Sequence, residues 1–126
     1  MRIYLLAAMV WLAGGVFPNT TAAKTLRIGW AQADITPSEP VCIAGQFHVR
    51  VSEGVLDPIT ATALALESVV DQTPAAMVLV SCDLIAIHDS LRDALRDHLR
   101  RDLPELDPMA VLIAATHTHS APLTST

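Results

Sequence analysis

Apolar runs of different lengths and spacings divide this chain into strands around one helix. Residues 25–33 alternate loosely between apolar and polar types and predict a first strand. The run 61–70 is compatible with a helix or a strand, and a further apolar run covers 75–83. Because only the polar segment 71–74 separates these two runs, a β-hairpin is favoured over a helix.

The clearest helix is predicted over residues 90–103. Four leucines recur there at every fourth position: Leu91, Leu95, Leu99 and Leu103. Ala94 and His98 are expected to widen this apolar stripe, while charged residues occupy the other faces. Asp89 or Ser90 is the expected N-cap, because a short polar side chain there accepts a hydrogen bond from a free backbone N–H.

The helix is flanked by two apolar runs, the second of which predicts a strand over 109–115. A strand, a helix and a strand within about 40 residues are typical of a βαβ unit with a right-handed crossover. Both runs are nearly all apolar, as expected for parallel strands covered on both faces. The expected fold class is α/β, with a β-hairpin plus a βαβ unit forming part of a mixed sheet in an incomplete domain.

Residues 1–23 have the three parts of a secretory signal peptide. Arg2 provides a positive start, residues 3–16 are almost wholly apolar, and small residues gather at 21–23. The apolar core is short for a membrane span, so we expect cleavage near Ala23 and export, either secreted or periplasmic. An uncleaved leader would instead anchor the protein to a membrane. Residues 24–126 then amount to about one small domain.

The balance of charge argues against a nucleic-acid partner. The chain has 8 basic and 13 acidic residues and a formal net charge of −5. No basic stripe is present, and the scattered acidic residues are interpreted as a solvated surface. Export would permit a disulfide between Cys42 and Cys82, although their spacing does not establish one. Cys82 lies in an apolar run, where a cysteine is more often a small buried hydrophobe.

His117 and His119 stand one residue apart at the end of the last predicted strand. On an extended chain two such residues point to the same face, with Cα atoms about 6–7 Å apart. This spacing lets two imidazoles converge on one metal ion, and a catalytic zinc takes three protein ligands plus an open position. The alternative is a hydrogen-bonded polar rim. If a metal binds, Thr116, Thr118 and Ser120 are the expected acceptors of the second imidazole N–H groups.

Three other residues carry candidate chemistry. Asp83 follows an apolar strand and is expected either to accept a hydrogen bond from a ligating imidazole or to be a solvated strand-end carboxylate. His48 and Arg50 form an alternating pair, and the guanidinium of Arg50 is suited to clamping a substrate head group. A surface location for this pair is equally compatible with the sequence. His88 and His98 are interpreted as structural.

Four segments, in this order, resemble the start of the neutral/alkaline non-lysosomal ceramidases: residues 28–37 (IGWAQADITP), 45–50 (GQFHVR), 78–84 (VLVSCDL) and 115–120 (ATHTHS). The resemblance covers nearly all of residues 24–122. It implies that 24–126 are the N-terminal portion of a ceramidase-like catalytic domain, and that the chain is a fragment of a longer enzyme.

The resemblance also implies a chemistry. In that family, Zn²⁺ activates water to hydrolyse the N-acyl amide of ceramide. His117 would be a zinc ligand, and His119 would lie beside it as a catalytic residue. The partner would be a lipid amide substrate such as ceramide, with peripheral membrane contact. The family's later zinc ligands and its active-site serine have no counterpart in this chain.

One departure from the family pattern concerns the residues after the histidines. The family usually has Ser-Gly-Pro followed by glycines, whereas this chain has Ser120, Ala121 and Pro122 followed by leucine. The approach of the backbone to the metal is therefore expected to differ. The competing hypothesis is a non-catalytic exported α/β binding module with residual metal affinity.

Overall fold

The computed structural model describes residues 25–70 and 73–124. The signal peptide predicted for residues 1–23 lies outside them. The described residues form six elements in chain order: β1 (Thr25–Asp34), β2 (Thr60–Val70), β3 (Thr73–Cys82), helix α1 (Asp89–Asp102), a 3₁₀ turn (Pro108–Ala110) and β4 (Val111–Ala115). Within this part of the chain, no helix is both long and apolar enough to cross a membrane.

The strands form one mixed sheet in the order β1-β2-β3-β4. The pairs β1/β2 and β2/β3 are antiparallel, and β3/β4 is parallel. Helix α1 connects the two parallel strands. The predicted β-hairpin and βαβ unit are thus both confirmed.

The predicted boundaries differ from the observed ones by one or two residues at several ends, and the two largest differences have a structural reason. Thr73 and Pro74, expected in the turn, belong to β3 and pair with β2. Proline has no backbone N–H to donate to a neighbouring strand. Pro74 is tolerated because β4 pairs with β3 only from Val78 onward, so no carbonyl of β4 lacks a donor there. Met109, expected in the last strand, lies in the 3₁₀ turn, where the side chain of Asp107 accepts a hydrogen bond from its backbone N–H at 2.9 Å.

Two details of the helix also differ from the prediction. The N-cap is His88, whose side chain makes no capping hydrogen bond, so neither Asp89 nor Ser90 has that position. Ala94 and His98 are exposed and do not widen the apolar stripe. The His98 ring instead accepts a hydrogen bond of 2.7 Å from Arg101. No residue of α1 is buried, and these two flanking positions remain in water.

The core lies on the face of the sheet that carries α1. Cys82, Leu84 and Ala121 are buried there, with Leu91 of the helix and Ile113 of β4 packed against them. The opposite face exposes a set of large apolar side chains: Leu26, Ile28, Trp30, Leu64, Met77, Leu79 and Leu112. The prediction that β3 and β4 are covered on both faces is therefore wrong for the described residues, which form a partial α/β domain.

The two cysteines do not form a disulfide in this structure. Cys42 is an exposed free thiol and Cys82 a buried one. Desolvation, together with the negative charge of Asp83, raises the pKa of the Cys82 thiol. Cys82 therefore has the role of a small buried hydrophobe.

Candidate functional site

The loops that follow β3 and β4 run next to each other at one edge of the sheet. The backbone N–H of Thr116 donates to the carbonyl of Cys82 at 2.9 Å. The carbonyl of Leu84 accepts from the N–H groups of His117, at 2.9 Å, and of Thr118, at 3.2 Å. These bonds extend the parallel pairing beyond the strand ends. The expectation that Asp83 and His117 follow neighbouring parallel strands is confirmed.

The side chains of His117 and His119 lie close together at this edge. Their ring centroids are 5.3 Å apart and their planes meet at 80°. The backbone between them is not extended, however, because His117 has a φ of 65°. The rings therefore meet through a left-handed turn, and the expected alternation of an extended strand was wrong. A non-glycine residue in this region is uncommon and strained, and such strain clusters at functional sites.

Each imidazole is held by a backbone carbonyl. Nδ1 of His117 lies 2.7 Å from the carbonyl oxygen of Ile85. Nδ1 of His119 lies 2.9 Å from the carbonyl oxygen of Gly45. Because a carbonyl oxygen can only accept, both rings donate from Nδ1, and a neutral ring then has its lone pair on Nε2. This is the tautomer that a metal ligand bound through Nε2 requires.

Two of the three hydroxyl groups expected to orient the imidazoles have other partners. Thr116 donates from Oγ1 to Asp83 at 3.3 Å, and Thr118 Oγ1 accepts from the backbone N–H of Ser120 at 3.3 Å. That prediction was wrong because the two carbonyl acceptors lie far away along the chain. Gly45 is 74 residues from His119, and Ile85 is 32 residues from His117.

Asp83 ties the end of β3 to the start of β2. Its Oδ2 accepts two hydrogen bonds of 2.9 Å, from the backbone N–H and from the hydroxyl of Thr60. These bonds hold the pKa of the Asp83 carboxyl below its usual value against the opposing effect of desolvation, and the hydrogen bond from Thr116 adds to the lowering. The Asp83 carboxylate thus accepts hydrogen bonds from two threonines. The expected hydrogen bond from an imidazole to Asp83 is not observed.

Gly45 is a site residue that the sequence analysis missed. Its φ is 82°, and a Cβ placed on it would lie 2.5 Å from Nδ1 of His119 and 2.6 Å from Cδ1 of Ile85. A glycine in a polar loop does indicate a special backbone conformation, but nothing in the sequence identifies which side chain lies against it. The His119 ring packs directly on the Gly45 backbone.

Gly45 belongs to a short hairpin-like segment, residues 41–52. Ile43 donates to the carbonyl of Arg50 at 2.8 Å, and Ser52 donates to that of Val41 at 2.9 Å. The same segment pairs with the chain beyond the histidines. Ala44 donates to the carbonyl of Ala121 at 3.0 Å. The segment is therefore fixed against the loop that carries His119.

His48 and Arg50, the pair predicted to contact the substrate, are placed differently in the structure. Nη2 of Arg50 donates to the backbone carbonyl of His119 at 2.9 Å, and His48 is exposed. A cavity of about 1090 Å³ lies between the loop 36–59 and residues 118–122. Arg50, Asp83, Thr118 and Ser120 are among its lining residues. The cavity therefore reaches both neighbours of His119 in the chain.

The described residues contain no group of three or more His, Cys, Asp or Glu side chains arranged to hold a metal ion. Among those residues, His117 and His119 therefore bring two potential ligands together without a third. No protein-family model matches the sequence, and no curated protein is significantly similar to it.

Proposed function

We propose that this chain contributes to an exported zinc-dependent amidohydrolase that acts on a lipid amide such as ceramide. His117 is a zinc ligand, and His119, which the resemblance implies is a catalytic residue beside the metal, is proposed to bind the same ion as a second ligand through its own Nε2. The observation that carries the proposal is the histidine pair: two adjacent imidazoles, each with Nδ1 fixed by a carbonyl oxygen at 2.7 or 2.9 Å. Such carbonyl contacts are the usual support of ligating histidines.

The separation of the two rings fits one metal ion. A Zn–N distance of about 2.0–2.1 Å and a tetrahedral angle between two imidazoles place their ring centroids about 5 Å apart. The observed separation is 5.3 Å. Both rings are exposed, so a substrate has access to this edge of the sheet. Two of the four tetrahedral positions are left for other ligands.

Zinc bound there would polarise the amide carbonyl and acidify a water molecule. The chain's own residues contribute the geometry. The carbonyl groups of Ile85 and Gly45 keep the Nδ1 protons in place and increase the basicity of the opposite nitrogens. The cavity beside Thr118 and Ser120 provides space for part of a substrate, and its volume is slightly above the usual range for ligand sites, about 300–1,000 Å³.

The choice of a lipid amide comes from the resemblance of the four segments to the neutral/alkaline ceramidases. His48 and Arg50 remain candidates for contact with the substrate head group, because Arg50 lines the cavity and His48 stands in the same exposed segment. Asp83 supports the site indirectly through Thr116, the residue before His117. A lipid substrate would bring the protein into peripheral contact with a membrane.

Calorimetric titration of the full chain with Zn²⁺ tests the metal assignment. We expect weak binding at one ion per chain, because the pair fills only two positions, and we expect His117→Ala to abolish it. His98→Ala is the matched control, since His98 is an exposed helix residue bound to Arg101. Equal affinity in all three proteins would contradict the assignment.

The reading frame in the gene downstream of Thr126 distinguishes the enzyme from the binding module. Several hundred further in-frame residues that include a histidine, a glutamate and a tyrosine would support the amidohydrolase. A stop codon at that point would favour a non-catalytic module with residual metal affinity.

A further inference from the structure

We propose that Gly45 and Arg50 are positioning residues that hold the His119 imidazole in the tautomer with Nε2 free. The role assigned to that nitrogen rests on the proposed function. The positioning itself rests on two contacts that the segment 41–52 makes to His119, one to the ring and one to the backbone carbonyl. In this arrangement Arg50 acts on the protein backbone as well as lining the cavity.

The contact from Gly45 is made to the ring. Its carbonyl oxygen accepts from Nδ1 of His119 at 2.9 Å, and its Cα has no room for a side chain. A Cβ would lie 2.8 Å from Cγ of His119 and even closer to Nδ1, and the φ of 82° is unfavourable for any L residue. Any other residue at this position must therefore displace the imidazole, the carbonyl or both.

The contact from Arg50 is made to the backbone. Its Nη2 donates to the carbonyl of His119 at 2.9 Å, while its own carbonyl accepts from Ile43 at 2.8 Å. Arg50 thus connects the segment that carries Gly45 with the loop that carries His119. The result is a closed ring of contacts in which the imidazole and its acceptor cannot move apart independently.

The contact with Gly45 determines which nitrogen of the neutral His119 ring carries the proton. A neutral imidazole in water prefers the proton on Nε2, so the Nδ1–H form is imposed by the Gly45 carbonyl. Losing that acceptor returns the proton to Nε2, where it occupies the lone pair that a metal needs. His117 has a separate acceptor, Ile85, and provides an internal reference in the same molecule.

The test is ¹⁵N NMR of the imidazole nitrogens in the metal-free full chain at a pH where the rings are neutral. In the native protein both site histidines are expected in the Nδ1–H form. Gly45→Ala and Arg50→Met should move His119 towards the Nε2–H form and leave His117 unchanged. Gly54→Ala is the matched control, because a Cβ at Gly54 meets nothing within 4 Å.

Two results would overturn the proposal: a native His119 with its proton on Nε2, or a His119 that keeps its native signals in both variants. If Gly45→Ala unfolds the chain, the signals of His117 change as well, and Arg50→Met then decides. Zinc titration of the same samples separates the two claims. We expect affinity to fall by about 10- to 100-fold in the variants. Unchanged zinc affinity alongside a shifted tautomer would support positioning and contradict the proposed function.

Discussion

The carboxylate of Asp83 is bound twice by Thr60, once through the backbone N–H and once through the hydroxyl, both at 2.9 Å. The backbone N–H of Asp83 in turn donates to the carbonyl of Thr60 at 2.9 Å. This exchange joins the end of β3 to the start of β2, and Thr116, the residue before His117, donates a further hydrogen bond to Asp83. The stability of that edge should therefore depend on the ionised form of Asp83.

Asp83→Asn is expected to destabilise the protein by about 1 kcal/mol at pH 7, which is less than is usual for hydrogen bonds to a charged group because the site is only half-buried and solvent screens the charge. The folded-state pKa of Asp83 is lowered, so its contribution is fully present above the ordinary aspartate value of about 3.9. It is lost as the pH falls through the lowered value. Urea unfolding at pH 7 and under acid conditions measures both.

The matched control for this prediction is Asp57→Asn, a change at an exposed loop carboxylate. It should alter the free energy of unfolding little at either pH. If Asp83→Asn destabilised the protein equally at neutral and acid pH, the hydrogen bonds from Thr60 would not depend on the carboxylate charge.

Because the backbone of His117 is left-handed, we expect glycine to be more stabilising than alanine at this position. His117→Gly should be more stable than His117→Ala by about 1 kcal/mol, because only glycine adopts a φ of 65° without a steric penalty. At Ser120, which does not have a positive φ, the order should reverse. Thermal unfolding of the four variants measures this. An alanine variant as stable as the glycine variant at 117 would exclude backbone strain there.

A substitution at the N-cap of helix α1 is expected to stabilise the protein. His88 has the extended backbone of an N-cap without a capping side chain, with φ −77° and ψ 153°. His88→Ser should stabilise the protein by about 1 kcal/mol, since a serine there can accept from a free N–H of the first turn. Ser90→Ala should have little effect, because Ser90 lies inside the helix. Urea unfolding that showed the opposite order would place the cap at Ser90.

The hydrophobic pattern was sufficient to predict the sheet, the crossover helix and the relative placement of Asp83 and His117. These features depend on local periodicity and on the short connection through α1. The boundaries at Pro74 and Met109 were missed because they depend on where the neighbouring strand begins to pair and on a side-chain contact from Asp107. Both are properties of the assembled fold.

The groups that accept hydrogen bonds from the two histidine rings could not be predicted either, because they too depend on the assembled fold. Any hydroxyl near an imidazole in sequence is a plausible acceptor, and Thr116 and Thr118 were the obvious ones. The observed acceptors are backbone carbonyls, which every residue has, so residue type cannot identify Gly45 or Ile85. Only the folding of the segment 41–52 onto the chain beyond β4 brings Gly45 to His119.

We propose that one zinc ion binds both His117 and His119 through Nε2. Zinc titration of the full chain, followed by ¹⁵N NMR of all five histidines, tests it most directly. We predict that the Nε2 signals of these two residues shift together and saturate at one zinc per chain, while His48, His88 and His98 do not respond. His117→Ala should remove the response of His119. A zinc response confined to the other three histidines, or one at His119 that survives His117→Ala, would contradict the account.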